Sequence, residues 1–128
     1  MTDTEKVTIN LSVVDLGQID LLVDQGLYSN RSDLIRTAIR NQVGAHGDVL
    51  KEVVVRKHVV VGVLAYTKGN LEARRSEGER LDIRVVGMLD IAKDVTPELA
   101  RETIRSIKVY GTLRANPAVK DALADRML

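Results

Sequence analysis

Lys6, Thr8 and Asn10 occupy every second position of "KVTINLS", residues 6 to 12, with Val7, Ile9 and Leu11 between them. An ammonium donor, a hydroxyl and a carboxamide together supply the donors and acceptors needed to read a polar surface by hydrogen bonding. In an extended segment this alternation places the three polar side chains on one side and the three apolar ones on the other. The residues for bond-making chemistry are missing. The chain has no cysteine, its serines lack a convincing histidine partner, no carboxylate pair stands out from the solvated charges, and no glycine loop cradles a phosphate. Recognition is therefore expected, with no catalytic residue, no metal and no cofactor.

The elements that position this row follow from local pattern. Residues 6 to 12 have the period of a strand with one buried face. Ser12 then caps a helix over about 13 to 25, with Asp15 at its positive end and Leu16, Ile19, Leu22 and Val23 as its apolar stripe, stopped at Gly26. In "LYSNRSDLIRTAIRNQV" Asn30 is the cap of a second helix, Asp33 sits three residues on as in a capping box, and Leu34, Ile35, Ala38, Ile39 and Val43 form the buried stripe. Arg36 and Arg40 lie beside that stripe and read as a solvated face. "VGAHGD", residues 43 to 48, breaks the periodicity and divides the chain.

A strand and two helices in about 40 residues cannot stand alone, because the strand has unpaired backbone groups and the helices bury too little. Pairing with the same strand of a second copy corrects both defects and predicts an obligate homodimer with a two-stranded antiparallel ribbon. Val7, Ile9 and Leu11 then face the shared core. Lys6, Thr8 and Asn10 of both chains face outward together, on a ribbon that fits the major groove of B-DNA.

These residues resemble a family. "KVTINLS", the amphipathic helix ending at "DQGLY", and "SNRSDLIRTAIR" together are similar to the ribbon-helix-helix (MetJ/Arc/CopG-like) DNA-binding domain, over roughly residues 4 to 43. The resemblance implies base contacts from Lys6, Thr8 and Asn10, and a DNA phosphate held at the start of the second helix by Ser29, Asn30, Arg31 and Ser32. A helix N-terminus with free N–H groups also favours an anion on physical grounds. Nickel-responsive regulators join such a domain to a βα-type domain, but their site needs several histidines and a cysteine. This chain offers only His46 and His58, so a comparable site is not expected.

Composition sets outer limits. The 128 residues suffice for one ordinary domain or two small ones, and the three aromatic residues are all Tyr, so aliphatic side chains must build the core. Net charge is +1; from Met1 to Ala45 four basic oppose six acidic side chains, which leaves −2 there and +3 beyond. Bulk electrostatics thus cannot drive DNA binding, and contacts must be local. No basic segment followed by an apolar run opens the chain, and no membrane-spanning run occurs, so a cytoplasmic protein is expected.

The remainder carries a repeat. "VVGVLAY" at 60 to 66, "VVGMLDI" at 85 to 91 and "VYGTLRA" at 109 to 115 share V-x-G-x-L, with glycines at 62, 87 and 111. Repeats of 24 and 25 residues with a strand-like centre suggest a solenoid-like module. Ile83, Val85, Gly87 and Leu89 alternate in the second copy and Ile107, Val109, Gly111 and Leu113 in the third, with His58, Val60, Gly62 and Leu64 in the equivalent slots of the first. Helix-compatible segments "GNLEARRSEGER" and "TPELARETIRS" join the strands, so three short parallel strands with helices on one side are predicted. A terminal helix starts at "NPAVKDALADRM".

The expected fold is thus α+β: residues 1–44 a ribbon-helix-helix dimerisation and DNA-binding domain, 45–57 a linker or lead-in strand, and 58–128 a βα repeat domain for assembly or partner binding. Two functions fit: a transcriptional repressor reading double-stranded DNA, or an antitoxin that binds its own promoter and a toxin. Antitoxin tails are usually short and polar, whereas this C-terminal part is long and apolar. That favours the regulator.

Overall fold

The computed structural model describes residues 4–128. The chain forms two compact units, Met1–Glu52 and Val53–Leu128.

In the first unit the capping chemistry works as the residue types require. The Ser12 hydroxyl accepts from the Asp15 N–H at 3.1 Å and starts α1 (Val13–Asp24). At its end Gly26 takes φ +82°, a conformation that glycine adopts without a Cβ penalty. The N–H groups of Gly26 and Leu27 then reach back to the carbonyls of Val23 and Leu22, at 3.0 and 3.1 Å. Helix α2 (Arg31–Ala45) starts at Asn30, whose Oδ1 accepts from the Asp33 N–H at 2.8 Å.

Two expectations need correction or restriction here. The segment 45–57, expected as a linker or lead-in strand, is largely helix α3 (Gly47–Lys57), and the boundary between the units falls inside it. Val49, Leu50, Val53 and Val54 recur at helical spacing, Asp48 lies in the first turn and Arg56 and Lys57 in the last, each favoured by the helix dipole. The glycines of "VGAHGD" do not break the helical run for long: Gly44 lies within α2, Gly47 opens α3, and only His46 stands between them as a turn. Residues 4 to 12 lie in no β-ladder of the single chain, which supplies no partner strand.

The second unit is a three-stranded parallel sheet in the order β1-β2-β3, with β1 Val60–Tyr66, β2 Leu81–Ile91 and β3 Ile104–Arg114. Helix α4 (Lys68–Ser76) joins β1 to β2 and α5 (Pro97–Thr103) joins β2 to β3, capped by Thr67 and Thr96. Helix α6 (Pro117–Leu123) follows, then a 3-10 turn, Ala124–Arg126. Leu71 of α4, Leu99 and Ala100 of α5, and Val119 and Leu123 of α6 bury against Ile83, Val85, Leu89, Ile91, Ile104 and Ile107. This is one core on one face of the sheet. Asn116 ties α6 to it: its Oδ1 accepts from the Val119 N–H, while Nδ2 donates to the carbonyls of Lys93 and Val95 at 3.2 and 3.0 Å.

The three glycines stand side by side. Gly62 pairs with Gly87 and Gly87 with Gly111, at φ +129°, +133° and +126°. A Cβ on Gly87 would strike the carbonyl oxygen of Gly62, and one on Gly111 that of Gly87. Glycine is required here by conformation and by close approach. His58, assigned to a ladder slot from the repeat, is instead an exposed residue at φ +53° in the turn between α3 and β1.

Candidate nucleic-acid interface

Among the described residues of the first unit none is buried. None of α1, α2 and α3 contains a buried residue. Val7, Ile9 and Leu11 are 79%, 64% and 41% exposed, and Leu21, Leu22, Leu27, Ile39 and Val43 are exposed as well. Solvating this much aliphatic surface is unfavourable by roughly 25 cal/mol per Å². The apolar row of residues 6 to 12 therefore has no cover within its own chain. Lys6, Thr8 and Asn10 alternate with it, are exposed, and make no hydrogen bond or ion pair with another described residue.

At the second cluster hydrogen bonds fix the helix start. The Asp33 carboxylate accepts from the Ser29 N–H at 2.9 Å while Asn30 caps the Asp33 N–H, so loop and helix are tied reciprocally. The N–H groups of Arg31 and Ser32, at the first two helical positions, have no intrahelical acceptor. Ser29, Asn30 and Ser32 thus surround a small polar concentration at the positive end of α2.

The Arg31 side chain is turned elsewhere. Its Nε and Nη2 donate to the two oxygens of Asp20 on α1, both at 2.7 Å. Those hydrogen bonds hold the Asp20 carboxyl below the usual carboxylate range, with burial acting the other way and the Arg31 charge adding to the lowering. The same pairing raises Arg31 further above its already high value. Asp20 carried no role in the sequence reading. Eleven residues and an interhelical turn separate the partners, and no local spacing rule signals such a pair.

Among the described residues no three His, Cys, Asp or Glu side chains gather as metal ligands, and no helix is long and apolar enough to cross a membrane.

Comparison with known proteins places the chain in a family. The model of a ribbon-helix-helix transcriptional regulator family matches residues 2–120, well past the third of the chain that carries the sequence resemblance. The chain is also similar to the transcriptional regulator CdrS of Halobacterium salinarum, 32% identical over 44 residues that span 34% of this chain and 80% of that protein. No solved structure matches it.

Proposed function

The chain belongs to the ribbon-helix-helix transcriptional regulator family, and from that premise we propose that it is a non-catalytic, cytoplasmic repressor that reads operator DNA as a homodimer. The observation that carries the reading is the alternation at residues 6 to 12 in a unit whose described residues include no buried one. Two copies of the segment, paired antiparallel, cover Val7, Ile9 and Leu11 and satisfy both backbones in one step. The same pairing gathers six polar side chains, Lys6, Thr8 and Asn10 from each chain, on a ribbon narrow enough for the major groove. Lysine favours guanine acceptors, asparagine pairs with adenine, and threonine adapts to either or packs on a thymine methyl.

The start of α2 supplies the contact that fixes register on the duplex. The N–H groups of Arg31 and Ser32, with the side chains of Ser29, Asn30 and Ser32, suit a phosphate oxygen. Arg31 contributes its charge there only by leaving or sharing Asp20. An autoregulating antitoxin would use the same first unit, but the second has its own folded core, and no observation points to a toxin. Selection of binding sites from random DNA by the purified protein tests the proposal: enrichment of an inverted repeat is expected, and recovery of unenriched sequence refutes it.

A further inference from the structure

The sheet of the second unit ends in two edges that complement each other. Inside the sheet one contact occurs twice: the carbonyl of Gly62 fills the side of Gly87 where a Cβ would be, and the carbonyl of Gly87 does the same to Gly111. All three glycines share nearly one φ. The open edge of β1 therefore presents the empty half of this contact. A Cβ built on Gly62 meets nothing within 4 Å, although its backbone has the same unusual conformation. At the open edge of β3, Gly111 holds the ladder position and φ from which the carbonyls of Gly62 and Gly87 each reach the next strand.

The remaining features of the two edges fit the same pairing. In register, Val60 corresponds to Val85 and Val109, and Leu64 to Leu89 and Leu113. Strand β1 thus matches β3 from Val109 onward. The part of the β3 edge before Val109 is already taken, since Met127 pairs with Ile107 in parallel and the Leu128 N–H donates to the Ile107 carbonyl at 2.8 Å. Beyond it lies a cleft of about 210 Å³ lined by Ile107, Val109, Gly111, Leu113, Met127 and Leu128. Strand β1 itself, "VVGVLAY", lacks the charged residues and proline that usually guard an exposed edge, and Val61 and Val63 are 64% and 52% exposed.

We propose that the β1 edge of one copy adds in parallel to the β3 edge of another, Gly62 against Gly111, with Val60 and Leu64 entering the cleft beside Val109 and Leu113. The occupant is a second copy of this chain. A head-to-tail contact of this kind closes into a ring or continues as a chain, and it does not use the first unit. It stands apart from the DNA reading, because it involves the second unit alone.

The absence of native cysteine makes a direct test possible. In the proposed junction Val61 of one copy faces Tyr110 of the next, whereas within a chain β2 separates them. Two strand spacings are about 9.5 Å, beyond the roughly 7 Å that a disulfide spans. Full-length Val61→Cys and Tyr110→Cys proteins, each verified as folded by circular dichroism, are oxidised mildly alone and as an equimolar mixture. A covalent species of twice the chain mass in the mixture, and in neither protein alone, is the expected result. No linked species in the mixture overturns the proposal. A linked species in Val61→Cys alone also overturns it, because that product reports β1 against β1 across a two-fold axis. Should Tyr110→Cys fail to fold, Arg114→Cys with Ala65→Cys gives the same readout at another facing pair.

Discussion

Arg31 opens α2 with its guanidinium forked onto Asp20 of α1, two hydrogen bonds of 2.7 Å each, in the turn of the helix where a phosphate is proposed to bind. The carboxylate occupies the donors that a phosphate oxygen would use, so the two compete for one cation. Asp20→Asn weakens that hold. The expected outcome is tighter DNA binding at low salt and a salt dependence steeper by about one counterion per binding site, measured by fluorescence anisotropy across ionic strength. An unchanged slope for both Asp20→Asn and Arg31→Ala would remove Arg31 from the phosphate contact.

Acid should weaken the second unit through Asp82. Hydrogen bonds from Arg105, then from Ser106, hold its carboxyl well below the usual range against the opposing effect of burial. A depressed carboxyl pKa contributes stability that is complete above the unfolded value, near 3.9, and disappears as pH falls through the folded value. Thermal stability should therefore be insensitive to this group between about pH 7 and 5 and decline below about pH 4. In Asp82→Asn the decline should be shallower. The exposed Arg101–Asp125 pair adds in the same direction, since its hydrogen bond also lowers the Asp125 carboxyl.

The glycine ladder predicts an order of damage. Alanine at Gly87 or Gly111 is strained at positive φ and also strikes a backbone carbonyl, whereas alanine at Gly62 is strained but unobstructed. Each strained conformation costs about 1 to 3 kcal/mol and overpacking adds about as much again. Urea denaturation should rank Gly87→Ala and Gly111→Ala as clearly more destabilising than Gly62→Ala. Equal losses at all three, at a protein concentration where copies are separate, would mean that the close approach within the chain contributes nothing.

A unit that buries its apolar row only by pairing must be more stable when concentrated. The melting temperature of the first unit is expected to rise with protein concentration, as mass action requires of a folded dimer. Ile9→Asp places a charge in the shared core and should abolish the dimer formed by the first unit, read by sedimentation equilibrium in the Gly62→Ala background, and DNA binding, read by gel shift.

Much of this architecture was legible because it rests on short-range rules. Ser12, Asn30, Thr96 and Asn116 announce their helices, and the side chain of each accepts from the backbone N–H three residues on. The V-x-G-x-L spacing by itself sets Gly62, Gly87 and Gly111 at equivalent positions, and the sheet pairs them side by side. What escaped depends on longer-range facts. Helix α3 was hidden because Gly44 and Gly47 read as interruptions, although one sits within α2 and the other opens α3. His58 fitted the repeat on paper but belongs to a turn, since β1 starts at Val60. The Arg31–Asp20 fork joins two helices across a loop, and among exposed charges no sequence pattern distinguishes that pair from Arg36 or Arg40.

The central claim is that Lys6, Thr8 and Asn10 read bases while the start of α2 holds the backbone. It is tested most directly by measuring, for Lys6→Ala, Thr8→Ala and Asn10→Ala dimers, affinity for the selected operator and for single-base variants of it. Each alanine is expected to cost about 1 to 3 kcal/mol on the operator and to flatten preference at one base pair per half-site. Ser32→Ala, by contrast, should weaken binding to all sequences alike. Folded, dimeric alanine variants that keep the operator affinity and base preferences of the parent chain would contradict the account.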